Sequence, residues 1–379
     1  MLPENFTLLQ VTPALDGGGV ETLTVDMATA VARAGGRSLV ASRGGRLEEA
    51  LIWGGAEFIP LPVQSRNPLK MFGNARGLEH IIEDEKVSLV HVRSRAPAFS
   101  ALMAARRTGT PIVATYHGIY SARSEAKRWY NAVMTRGDRV IANSRYTREH
   151  ILAEHNVRPE KIILIPEGVD VGAFDPRYVE RDQVLALRGS WAPDDGRAIV
   201  LVAARLTGWK GHKLIIEAMA RGGLAARARL VFVGEGAEST LGRELAKMAS
   251  TAGVTLTFAG VAQNMPAVFL AADIVAAPST EPESFGRTVA EAGAMGRLVI
   301  ASSLGGVAET IVDGETGFLA PPGDAQAWAA ALNRALDLAP EARVAMGVAA
   351  WTRIREHYSM ERMCEATFAL YRELSEKTR

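Results

Sequence analysis

Short apolar runs alternate with amphipathic stretches along almost the whole chain. TLLQVTP reads as a buried strand; Val20, Leu23, Met27 and Val31 follow at helical spacing, and Gly35-Gly36 ends that helix. VSLVHVRS, PIVATYH, RVIANS and KIILIPEG continue the alternation. The stretch from Asp170 to Arg197 carries prolines and clustered charge but no apolar strand, so it reads as a linker. A second series follows in AIVLVAARL, RLVFVGEG, VTLTFAG, IVAAPST, LVIASS and GFLAPPG, and the chain from about Ala325 to Lys377 reads as helical. Strands apolar on both faces, separated by helices, predict parallel sheets covered on both sides. The expected fold is therefore α/β, with two Rossmann-like doubly wound domains facing across a cleft. Residues 1–180 form the first and 181–379 the second, with the last helix packing back on the first domain. Such sheets bind ligands beyond the carboxyl ends of their strands, so the informative residues should lie just after strands.

Composition narrows this little. The chain has 379 residues, 48% of them hydrophobic and 22% charged, with a net charge of +1. That length accommodates two cores. The charge excludes a chain that binds polyanions as a whole, and no nucleic-acid partner is expected. One cysteine, Cys364, allows neither a disulfide within the chain nor a cysteine metal site, which fits a reducing cytoplasm. No basic start followed by a long apolar run marks a signal peptide, and no apolar stretch is long enough to span a membrane.

Three segments carry chemistry. Asp16-Gly17-Gly18-Gly19-Val20-Glu21 falls between the first strand and the first helix, where glycines admit a close ligand and a helix start favours phosphate. A tight strand-to-helix turn explains it equally well. Thr22 occupies the third glycine position of the dinucleotide fingerprint, and the second strand ends in Ala41-Ser42-Arg43 without an acidic residue for a ribose. Both features speak against a nicotinamide enzyme. In VAARLTGWKG, Arg205 and Lys210 follow a strand, with Gly208 and Gly211 loosening the loop; two cations there suit a diphosphate. In EPESFGRTVAEAGAMG, Glu283 and Glu291 can bind two hydroxyl-rich ends of one ligand. Backbone N–H groups of Ser284, Phe285 and Gly286 at the helix start can meet phosphate oxygens. Acidity at a helix start is the plainer reading of Glu283, but not of Glu291.

Together these segments resemble the retaining family 4 glycosyltransferases of GT-B fold. The resemblance extends through TYHG, IANSRYTRE, IPEGVD, VGEG and SSLGGVAETIVDGETGFLAPPGD, nearly the whole chain. The form EPESFGR is similar to the subgroup that builds bacterial lipopolysaccharide and related surface glycans. The resemblance implies that Glu291 binds the ribose hydroxyls and Glu283 the donor sugar. It implies that Arg205 and Lys210 clamp the diphosphate, that Gly18, Gly19 and Glu21 belong to the donor-binding set, and that His117 stands near the reacting sugar. Glu167 departs from the family, which usually has asparagine there. The implied activity moves a hexose-type sugar from a nucleotide-diphosphate donor to a glycan or glycolipid acceptor, with retention and with neither a metal nor a cofactor. A nucleotide-sugar epimerase and a non-catalytic nucleotide-sugar sensor share the fold and remain alternatives.

The segment His91–Arg148 is basic, with eleven arginines and lysines against Glu125 and Asp138. Arg93, Arg95, Arg123, Lys127, Arg128, Arg136 and Arg139 are interleaved with Ile119, Tyr120, Trp129, Tyr130, Val133 and Met134. Aromatics beside cations suit an anionic membrane interface, so a peripheral place on the inner face of the cytoplasmic membrane is expected. Arginines facing the cleft or paired with acids would give the same count.

Overall fold

The computed structural model describes residues 2–120, 124–191 and 195–376. The chain divides into two compact units, residues 1–166 with 361–379, and residues 167–360.

The first unit is built on seven parallel strands: β1 Thr7–Val11, β2 Arg37–Ser42, β3 Glu57–Pro60, β4 Leu89–Val92, β5 Ile112–Tyr116, β6 Arg139–Ala142 and β7 Ile162–Leu164. Their order is β3-β2-β1-β4-β5-β6-β7, so the direction of winding reverses between β1 and β4. Every residue of β1, β4 and β5 is buried, as expected for strands covered on both faces. The helix Gly19–Arg33 buries Leu23, Met27 and Val31 along one stripe. The strand β3 was not evident in the sequence; it is a half-exposed edge strand ending in Pro60.

At the reversal lies a buried polar network. Arg93, 3% exposed, donates to Gln10 Oε1 from Nε at 3.0 Å and Nη2 at 2.6 Å, and Gln10 donates to the Thr24 carbonyl. His91 sits between the Tyr371 hydroxyl at 2.6 Å and the Thr115 hydroxyl at 2.7 Å. Burial, then the charges of Arg93 and His117, hold its imidazole well below the ordinary histidine value. The helix Met360–Glu376 carries Tyr371 and joins this unit from residue 361.

The network corrects part of the expected basic surface. Arg93 is internal, Val133 and Met134 belong to the core, and Arg139 pairs with Glu373 at 2.6 Å. Arg95 lies 3.9 Å over the Tyr120 ring and donates to Asn131. Arg123 lies outside the described residues.

The second unit has six parallel strands: β8 Ala198–Ala203, β9 Ala228–Val233, β10 Leu256–Gly260, β11 Ile274–Ala277, β12 Leu298–Ser302 and β13 Phe318–Ala320. The order β10-β9-β8-β11-β12-β13 again reverses, between β8 and β11. This unit begins at Glu167, ahead of the expected boundary at 180. Val169 bridges to Ser359, donating to the Tyr358 carbonyl and accepting from the Met360 N–H, both at 2.8 Å. The presumed linker contains the helix Arg181–Trp191, fixed by Arg188 to the Ala271 carbonyl at 2.9 Å and to Asp273 at 2.8 Å; its residues 192–194 lie outside the described set. The helical tail is three helices, Ala325–Asp337, Pro340–His357 and Met360–Glu376, the second started by Pro340. Lys377 lies outside the described residues. Among the described residues no helix is long and apolar enough to cross a membrane.

Candidate functional site

In the second unit the two loops that leave β8 and β11 flank the reversal of strand order, where doubly wound sheets hold ligands. The first carries Arg205 and a short 3₁₀ turn, Gly208–Lys210, before the helix His212–Arg221. Gly211, at φ +74°, starts that helix, and any Cβ there would strike the Pro278 carbonyl at the end of β11. Glycine at this position therefore brings the two loops together. Thr280 N–H donates to the Trp209 carbonyl at 2.7 Å and closes the contact.

This approach sets Lys210 against Glu283. Lys210 Nζ lies 2.7 Å from Glu283 Oε2 and 4.3 Å from the centre of the Trp209 ring. Ser279 donates to the other carboxylate oxygen, Oε1, at 2.5 Å. The Glu283 main chain is held as well: its carbonyl accepts from Gly306 N–H at 2.8 Å, and a Cβ at Gly305 would overlap it. A carboxylate oriented through both oxygens is a ready acceptor for hydroxyl groups.

Beyond Glu283 the chain turns through Ser284, Phe285 and Gly286 into the helix Arg287–Ala294. Gly286 has φ +90°, and a Cβ there would collide with Val307. Phe285 is 2% exposed and its ring packs on Tyr358, so its side chain is not available to a ligand. Glu291, one turn into the helix, meets Arg287 Nη2 at 3.2 Å. Arg287 Nη1 in turn lies 3.5 Å from Glu167, whose side chain is 7% exposed. One guanidinium therefore sits between two largely buried carboxylates. Sequence reasoning noted Glu167 as a departure but missed its partner; the Arg287–Glu291 spacing was the available signal.

Arg205 stands apart from the Lys210–Glu283 pair. Its side chain is 69% exposed and makes a long contact, 4.0 Å, with Glu235 in the loop after β9. His212, just past Lys210, is buried and edge-on to Phe232. Burial, and after it the charge of Lys210, lowers its imidazole to about 4.

The remaining sequence-predicted residues belong to the first unit. Gly18 precedes the helix Gly19–Arg33, with Gly17 at φ +113°. The Glu21 carboxylate folds back over Gly18 into the space a Cβ would take, placing an anion at the helix start. Asp16 beside it pairs with Arg43. His117 follows β5, near enough to His91 to influence its titration.

Comparison with known proteins places this geometry in a family context. Residues 17–173 match Glycosyltransferase Family 4 and residues 185–352 match Glycosyl transferases group 1. A D-inositol 3-phosphate glycosyltransferase from Actinosynnema mirum is 31% identical over 297 residues, 71% of this chain and 68% of that protein. Other curated relatives of that name are longer, and the matches span about three-fifths of their length, 62% and 60%. Among solved structures, a glycosyltransferase from Rickettsia africae superposes with a TM-score of 0.90 at 30% identity, covering 98% of this chain and 99% of that one. Anabaena HepE, solved with UDP and glucose, superposes with a TM-score of 0.82 at 21% identity, covering 99% of each chain.

Proposed function

We propose, because this chain belongs to the glycosyltransferases that join a family 4 half to a group 1 half, that it moves a hexose-type sugar from a nucleotide-diphosphate donor to a glycan or glycolipid acceptor. The observation that carries the reading is the Lys210–Glu283–Ser279 constellation at the strand-order reversal of the second unit. Lys210 and Arg205 neutralise the diphosphate as it leaves, Glu283 accepts hydrogen bonds from the donor sugar, and Glu291 holds the ribose hydroxyls. Backbone N–H groups of Ser284, Phe285 and Gly286 meet phosphate oxygens. Gly18, Gly19 and Glu21 are assigned to donor binding and His117 to the reacting sugar on the family resemblance alone. The HepE complex with UDP and glucose supports a nucleotide-sugar donor.

In this reading the acceptor hydroxyl attacks the anomeric carbon from the face the diphosphate leaves. A leaving phosphate oxygen takes the hydroxyl proton, so configuration is retained without an enzyme nucleophile. The protein contributes positioning and charge stabilisation, and neither a metal nor a cofactor takes part. The product belongs to a lipopolysaccharide or another surface polysaccharide, and the protein works at the inner face of the cytoplasmic membrane.

The test is incubation with a panel of nucleotide sugars and a bacterial lipid extract, with mass spectrometry of the lipids. A lipid heavier by one hexose, formed with one donor, supports the reading. Epimerised donor with unchanged lipid would mean an epimerase; donor binding without turnover would mean a sensor.

A further inference from the structure

The first unit has an apolar groove that the donor chemistry does not use. It runs between the helix Pro68–Asp84, the helix Arg95–Thr108 and the helix Glu125–Asn131. Its floor includes Phe99, Leu102 and Tyr130, with the Phe99 ring stacked 5.3 Å from Tyr130. Phe72 and Trp129 stand at its edges, 55% and 58% exposed, and Leu69 beside them is 81% exposed. Large apolar side chains clustered in the open mark a binding surface. The hollow measures about 440 Å³, inside the roughly 300–1,000 Å³ typical of ligand pockets.

The charged side chains lining the groove itself have one sign. Arg66, Arg106 and Arg136 lie on the groove, and its lining holds no carboxylate. Arg136 is 5.0 Å from the Trp129 ring and Arg66 is 5.9 Å from the Tyr130 ring. Arg106, Trp129 and Arg136 also border an adjoining hollow of about 690 Å³, which adds Arg128 and Lys161 against Glu125 and Glu154. Burial pushes the Lys161 ammonium down from its ordinary value; Asp138 opposes this, and the charges of Arg158, Arg106 and Arg139 add to it by smaller amounts.

An apolar slot opening onto a cationic hollow matches one amphiphile: a hydrocarbon chain ending in a phosphate. We propose that the groove takes an acyl chain of an anionic membrane phospholipid, with the phosphate held by Arg106, Arg136 and the cations beside them. The proposal rests on the reading of the chain as membrane-docked and gives that docking an address. It also changes which residues do the docking. Leu69 and Phe72 come from outside the basic segment, whereas Arg93 and Met134 inside it are buried.

The full chain is tested on vesicles of phosphatidylcholine alone, and on phosphatidylcholine mixed with phosphatidylglycerol, each also made with brominated acyl chains that quench tryptophan on contact. The expected result is binding to the anionic vesicles at low salt, weakened by added salt, with quenching that Trp129→Phe largely removes. Leu69→Ser with Phe72→Ser should lower partition by about tenfold or more, since apolar burial drives such docking. Arg106→Gln with Arg136→Gln should lower it by about fivefold per cation. Far-UV circular dichroism checks that each variant is folded. Anionic binding that Leu69→Ser with Phe72→Ser leaves unchanged, or that brominated chains do not quench, would overturn the groove while the docked reading survives. No binding to either vesicle at low salt, or a groove covered by self-association in ultracentrifugation, would overturn both. Nucleotide-sugar transfer to a soluble acceptor in that last case would leave the glycosyltransferase reading standing.

Discussion

Lys210 Nζ lies 2.7 Å from Glu283 Oε2, a contact that joins the loop leaving β8 to the loop leaving β11. The two strands are neighbours where the sheet order reverses, and Gly211 lets the loops touch. In the free protein the lysine charge is balanced by the carboxylate. In the proposed mechanism an arriving diphosphate competes for the ammonium, and the sugar hydroxyls take over at Glu283.

Lys210→Ala and Arg205→Ala should therefore each lower kcat/KM by about a hundred- to thousand-fold, the usual effect of losing one charge-stabilising donor. Arg205→Lys should also be poor, because a point charge does not replace a planar fork. Steady-state transfer assays decide this, and near-normal turnover in both alanine variants contradicts the clamp.

Arg287 sits between Glu167 and Glu291, whose side chains are 7% and 14% exposed. Removing it takes a shared cation from two largely buried carboxylates. Arg287→Ala should cost about 3 kcal/mol of stability and weaken nucleotide binding. Glu167→Gln keeps the Arg287–Glu291 pair and should be mild by comparison. Urea denaturation of the variants checks this; a loss under about 0.5 kcal/mol for Arg287→Ala, the size of an ordinary surface change, goes against it.

The fold was largely legible because the apolar runs are long and regular. The edge strand β3 was not, since Glu57–Pro60 is short, half-exposed and closed by proline. The helix Arg181–Trp191 was hidden for a similar reason: its only buried residue is Trp191, and the Arg188–Asp273 contact that fixes it spans distant parts of the chain. Lys210 and Glu283 could each be picked out after a strand, but their pairing depends on strand order. Glu167 looked anomalous by itself and becomes intelligible only beside Arg287. The basic count over His91–Arg148 misled in part, because a count of charges cannot separate Arg93 in the interior from Arg106 on the surface.

Buried His212 gives the second unit a pH dependence. Its folded value is about 4 against an ordinary 6.5. Between those values the unfolded chain binds a proton that the folded unit does not, so stability is complete above the upper value and falls as pH drops toward the lower one. The loss should be on the order of 2 kcal/mol by about pH 5. His91 in the first unit is also held low and acts in the same direction. Urea titrations near neutral pH and in this acidic range should show a smaller acid loss in His212→Asn than in the wild type. Identical pH dependence would exclude His212 as a contributor.

Transfer should survive chelation by EDTA, since the proposed mechanism has Arg205 and Lys210 supply the positive charge that a divalent ion would otherwise bring to the diphosphate. An assay with EDTA, then with magnesium restored, reads this directly. An absolute need for the added ion would contradict the metal-free mechanism.

On the proposed reading Glu283 recognises the sugar and Glu291 the nucleotide, both from the second unit. Calorimetric titration of wild type, Glu283→Ala and Glu291→Ala, each with the preferred nucleotide sugar and with its bare nucleoside diphosphate, tests it most directly. Glu291→Ala should weaken both ligands, whereas Glu283→Ala should weaken the nucleotide sugar and spare the diphosphate. Equal loss of both ligands in Glu283→Ala would contradict it.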